Sequence, residues 1–293
     1  MNINIRSFLP KISLIILMLL TDIWIIILSQ EIQNLNSCAL IIGNPEETMA
    51  FREMNIRNTD VQLIKDLADK KSYDWLDILC IYMLDSSFQN DDSYLKQLSN
   101  EFVKKRLFLY RKRDETAFSA MKDSYKSVLA DIQYFPIPYS MAETDDRITY
   151  ENSWMFERTF GGPRGHEGTD LFPKENTPDL YPVISMTDGV IEKIGWLKKG
   201  GYRIGIRSPS GGYFYYAHLS SYYKEFKEGD SIKAGELLGY MGDTGYGEEG
   251  TSGLFDVHLH LGIYIQTEHY RELSVNPYHI LKCTEDLRIG YNF

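Results

Sequence analysis

In "DVHLHLGIYI" (256–265), two histidines alternate with apolar residues. At the two-residue period of a strand, Val257, Leu259, Leu261, Ile263 and Ile265 fall on one face. Asp256, His258, His260, Gly262 and Tyr264 fall on the other. Two imidazoles on one polar face can serve a single site, one as metal ligand and the other as acid, base or oxyanion partner. Taken alone, the pair also reads as a solvated strand face. Far upstream, "GHEGTD" (165–170) sets His166 and Asp170 four apart, a spacing that aligns side chains on one strand face or one helix turn. Gly165 and Gly168 favour the strand or loop version. A catalytic zinc takes three protein ligands from imidazoles and carboxylates and keeps its fourth position for water. His166, Asp170 and His260 make such a set.

A further histidine follows in "YFYYAHL" (213–219), where Phe214, Tyr216 and His218 alternate toward one face and His218 closes the strand. His269 and His279 have no matching surroundings and read as surface residues. No Ser, Cys or Lys stands in a nucleophile motif, which suits direct attack by water.

Together, H-x-G-x-D at 166–170, "YAHL" at 216–219, "GDSIKAGELLGYMGDTG" at 229–245 and "HLH" at 258–260 resemble the M23 family of zinc metallopeptidases, the lysostaphin or LytM type of peptidoglycan endopeptidase. The resemblance covers about half the chain, from 135 to 285. It implies a compact, twisted antiparallel sheet with a groove along one face, one zinc on His166, Asp170 and His260, and His218 and His258 as catalytic residues flanking the metal-bound water. The substrate it implies is a stem or cross-bridge peptide of cell-wall peptidoglycan. Two other functions stay open: a noncatalytic scaffold in an envelope assembly, and a peptidase acting on another envelope protein. The chain departs from the family pattern twice. "YGEEGTSGLFD" (246–256) lengthens the loop before HLH and carries Glu248 and Glu249, and Leu261 and Gly262 stand where an aromatic residue and a Glu are common.

The elements that must position these residues occupy the second half of the chain. Glycine-punctuated runs of period two, such as "GVIEKIGW" and "ELLGYMG", predict short strands over 134–285. A mainly antiparallel β domain follows, with a short tail at 286–293. From 51 to 133 there is neither glycine nor proline. Apolar residues there recur at threes and fours (Phe118, Met121, Tyr125, Val128, Leu129, Ile132), which predicts three or four helices. Within that stretch, "KKRLFLYRKR" (104–113) reads as a solvated basic face. Residues 31–50 read as a linker.

Residues 11–30 contain the run "ISLIILMLLTDIWIIIL", which as a helix covers roughly 26 Å, the short end of a bilayer span. Arg6 and Lys11 precede it and Glu31 follows, so residues 1–10 are expected as a cytoplasmic tail and the rest as an exported, single-pass protein at the cell membrane. No small-x-small cleavage site follows, which favours a retained anchor over a signal peptide. Asp22 inside the span suits contact with a second membrane or envelope protein, and reads equally as a tolerated acid beside Thr21 in a very apolar segment. A net charge of −10 argues against nucleic acid as a partner. Cys38, Cys80 and Cys283 are too few and too irregular for a disulfide framework.

Overall fold

The structure, a computed structural model, describes residues 16–29, 32, 43–142 and 146–293. Residues 16–29 are helical with their large apolar side chains exposed. Among the described residues no helix is long and apolar enough to cross a membrane. The expected cytoplasmic tail, both ends of the 11–30 stretch, Cys38 and most of the linker lie outside the described residues.

Three long helices make up the helical region: α1 (Asn58–Lys71), α2 (Trp75–Asp85) and α3 (Asn100–Leu129). Asp74 caps α2 by accepting from the Leu76 amide. Every residue of α2 from Leu76 to Leu84 is buried, as an apolar sequence without a polar stripe requires. In α3 the backbone leaves the helical region at Asp114, whose carboxylate accepts from the Ala117 amide at 3.0 Å. The chain thus breaks and caps itself inside one apparent helix. The basic run before that break is not a uniformly solvated face. Arg106 is buried and paired with Asp85, and Arg111 reaches Asp77 at 3.1 Å, while Lys104 and Lys105 stay exposed. Helical periodicity turns Arg106 toward α2, where Asp85 neutralises it.

The strands that concern the site are β1 (Glu157–Arg158), β2 (Arg164–Gly165), β3 (Thr169–Pro173), β4 (Gly189–Leu197), β5 (Gly201–Arg207), β6 (Tyr213–Tyr222), β7 (Leu237–Met241) and β8 (Leu259–Ile265). The main sheet runs β4–β5–β6–β8–β3, every neighbour antiparallel, with β7 on β6 and Leu273–Val275 on β8. Mainly antiparallel β architecture was expected, and Val257, Leu259, Leu261, Ile263 and Ile265 form the expected core face, each buried.

One apolar core joins sheet and helices, with Ile78, Met121 and Tyr125 in the same cluster as Ile204, Phe214 and Ile263. The seam between them is tight. Ser210 gives its amide and hydroxyl to Asp131 at 2.6 and 3.0 Å, and Arg52 Nε donates to the Ser274 carbonyl at 2.8 Å. At Gly212 a Cβ would sit 2.1 Å from the Ser127 carbonyl oxygen, so only glycine allows α3 this approach.

Candidate metal centre and active site

Strand pairing builds the centre. His260 on β8 lies directly across from Asp170 on β3, and His166 enters from the short turn before β3. His166 Nε2, Asp170 Oδ1 and His260 Nδ1 converge, at 3.0 Å (His166–Asp170), 3.1 Å (His166–His260) and 2.9 Å (His260–Asp170). The three expected ligands are therefore brought together, and among the described residues they form a group able to hold one ion.

The outer atoms of His166 and Asp170 are occupied. His166 Nδ1 lies 3.2 Å from the Ser153 carbonyl oxygen, and Arg158 Nη2 donates to Asp170 Oδ2 at 2.8 Å. Ser153 and Arg158, both at Nδ1, turn the inner Nε2 toward the centre, and Arg158 leaves Asp170 Oδ1 as the inward oxygen. Two nitrogens and one anionic oxygen, with the outer atoms of His166 and Asp170 satisfied, fit a zinc ion. Burial works against the Asp170 carboxylate. Hydrogen bonds and charge from His166, His260 and His258 outweigh it and hold its pKa well below the usual carboxylate range. Burial pushes the His260 pKa down, which favours the neutral, ligating imidazole.

Neither Leu261 nor Gly262 supports the ligands. Gly262 makes room instead, since a Cβ there would meet the Tyr264 ring at 2.8 Å. Support comes from Ser153 and Arg158, which no periodic pattern marks and which sequence reasoning missed.

His218 departs from strict alternation. Phe214 and Tyr216 point into the core, but β6 does not end at His218. The register between β5 and β6 shifts between Tyr202 and Ile204, and His218 adopts φ +61°. This bulge turns the ring to the groove face with Tyr213 and Tyr215. The His218 amide donates to the Gly200 carbonyl at 2.8 Å, and Nδ1 lies 2.7 Å from the Thr244 carbonyl oxygen. His258 is held alike, Nδ1 to the Asp256 carbonyl at 2.7 Å. Both rings thereby present Nε2 to the same space, their centroids 4.7 Å apart. Burial lowers both pKa values, and for His218 the neighbouring His258 and His260 lower it further. Both imidazoles are neutral at pH 7.

Phe255, at the end of the long loop, packs on His218 and His258 at 4.8 and 5.2 Å, and Tyr246 at its start stacks on Phe160 at 4.4 Å. That loop therefore walls the histidines with aromatic rings, while Glu248 points to Lys198 on the surface. His269 is exposed against Glu47 and Asn44, far along the chain from these residues, whereas His279 is half-buried in the short helix Pro277–Thr284 rather than on the surface. The cleft over the centre measures about 550 Å³, and none of the described helices lines it.

Two histidines and one carboxylate that could hold an ion stand together with two further neutral imidazoles on an antiparallel sheet, the kind of constellation a hydrolase can use. Residues 164–276 match the model of Peptidase family M23. The crystal structure of the lytM protein of Ruminococcus gnavus resembles the chain with a TM-score of 0.71 at 44% identity, covering 86% of this chain and 97% of that one. The chain belongs to peptidase family M23. It is also 38% identical over 184 residues to the L-Ala–D-Glu endopeptidase of Bacillus subtilis, covering 61% of this chain and 53% of that protein. Similarity to lysostaphin of Staphylococcus simulans is 39% over 83 residues, 28% of this chain and 16% of that protein. The chain thus spans about half the length of the first of these curated relatives and much less of the second.

Proposed function

We propose that the protein is a zinc-dependent endopeptidase that hydrolyses peptide bonds in the stems or cross-bridges of cell-wall peptidoglycan. The observation that carries this reading is the convergence of His166 Nε2, Asp170 Oδ1 and His260 Nδ1 beside two neutral imidazoles. Zinc bound there supplies Lewis acidity toward a carbonyl oxygen and makes water acidic enough to attack at neutral pH. The protein's own part is proton handling. His218 and His258, with Nδ1 fixed on main-chain carbonyls, offer Nε2 as base to the attacking water and then return the proton to the departing amine. In its protonated form the same Nε2 donates to the developing oxyanion. Phe255 and Phe172 against these rings limit water around them.

The 11–30 stretch would tether the chain to the cell membrane with the β domain outside, where the wall lies. Zinc analysis of the purified protein and turbidity loss of wall sacculi, with His260→Ala as control, test the proposal. One equivalent of zinc and lysis abolished in the variant support it. Lysis that persists in His260→Ala removes the metal mechanism, and neither zinc nor cleavage points to a binding scaffold.

A further inference from the structure

The cleft has a second polar feature, on β5, which the metal centre does not use. Arg203 is only 9% exposed, and its Nη1 is buried with no hydrogen-bond partner. Among the described residues its guanidinium forms no ion pair. A second arginine faces the same cleft: Arg164, on β2 just ahead of His166, buries its Nε without a partner. Tyr215 lines the same cleft, and its ring packs edge-on against His260 with centroids 6.0 Å apart. The two cations therefore line the cleft that also holds His166, Asp170 and His260. Glu167 and Glu272 also line the cleft, but neither pairs with Arg203.

An unpaired buried charge is costly, and a buried donor without an acceptor costs its full desolvation. Here the cost sits in a cleft open to substrate, in a chain of net charge −10. A planar guanidinium fork matches a carboxylate, and an anion entering the cleft would complete the buried donors that Arg203 and Arg164 leave unpaired.

We propose that Arg203, with Arg164 lining the same cleft, forms an anion subsite that takes a free carboxylate on the substrate residue next to the scissile bond. The preferred substrate is then an acidic stem peptide. A glycine cross-bridge carries no side-chain carboxylate and leaves Arg203 unpaired. This inference rests on the peptidase reading and narrows it.

The test uses the full-length, zinc-loaded protein and two synthetic peptides that contain an L-Ala–D-Glu bond, one with the glutamyl carboxylate free and one with it amidated. Wild type is expected to show a kcat/KM on the acid peptide at least about tenfold above the amide, with most of the difference in KM. In Arg203→Gln the preference is expected to vanish, and Arg203→Lys, which keeps charge but not the fork, is expected to restore part of it. Equal cleavage of both peptides by wild type overturns the subsite, as does a preference that survives in folded Arg203→Gln. Calorimetric binding of both peptides to His218→Ala separates the two readings. Tighter binding of the acid peptide, lost on adding Arg203→Gln, supports the subsite even where wild type cleaves neither peptide and the peptidase reading fails. Equal binding of the two peptides overturns it.

Discussion

His218 Nδ1 lies 2.7 Å from the carbonyl oxygen of Thr244, so the ring is fixed by a main-chain atom and only Nε2 is free for chemistry. Burial keeps that nitrogen unprotonated at pH 7. His218→Ala should therefore lower kcat by about 10²- to 10⁴-fold while leaving zinc content unchanged. Parallel metal analysis and single-turnover rates check this, and loss of zinc in the variant would assign His218 to the ligand set instead.

Arg158 positions Asp170 by donating to Oδ2 at 2.8 Å. Removing it frees the carboxylate to rotate and to present either oxygen. Arg158→Ala should weaken zinc binding about 10- to 100-fold, measured by competition with a chelator, and Arg158→Lys should recover part of the loss. Unchanged affinity with reduced kcat would place Arg158 in substrate contact.

Gly168 lets β3 close on β8. A Cβ there would lie 2.5 Å from His260 Cε1 and 2.7 Å from the Leu261 carbonyl oxygen. Gly168→Ala must displace either the ligand ring or the strand, so reduced zinc occupancy should accompany a loss of about 1–3 kcal/mol in stability. Thermal melts with and without added zinc separate the two effects.

Away from the site, Tyr82 ties α1 to α2 and the following turn. Its hydroxyl donates to Asp60 at 3.0 Å and accepts from the Asp91 amide at 2.8 Å. Tyr82→Phe should cost about 1–3 kcal/mol at neutral pH. Burial, with the Asp60 carboxylate, pushes the phenol pKa from 10 up to about 12. The folded state thus holds the proton more tightly than the unfolded state. This contribution is fully present below pH 10 and is lost as pH rises through 12. The stability gap between wild type and Tyr82→Phe should accordingly narrow between those values, as denaturant titrations at stepped pH would record.

What the sequence made legible was whatever obeyed a period or a motif. Alternation in 257–265 placed the core face of β8 and put His260 opposite a partner, and the spacing of His166 and Asp170 announced the rest of the triad. His218 escaped strict alternation because a bulge, a property of paired strands rather than of one, reverses its direction. Arg158 and Ser153 reach the ligands from irregular chain, and Arg203 owes its meaning to an absent acceptor, which no local pattern encodes. Arg106 misled for a related reason. A basic run looks solvated until its partner, Asp85 on another helix, is in place.

The glycine seam at Gly212 and the common interior of Ile78, Tyr125, Ile204 and Ile263 bear on how the protein can be dissected. A fragment beginning at the prolines of 136–138 would strip its sheet of a lid it was built to wear, leaving bare hydrocarbon in water. Such a truncation should emerge insoluble, however intact its ligands, and a useful recombinant form has to keep the helices that supply Ile78, Met121 and Tyr125 to the common interior.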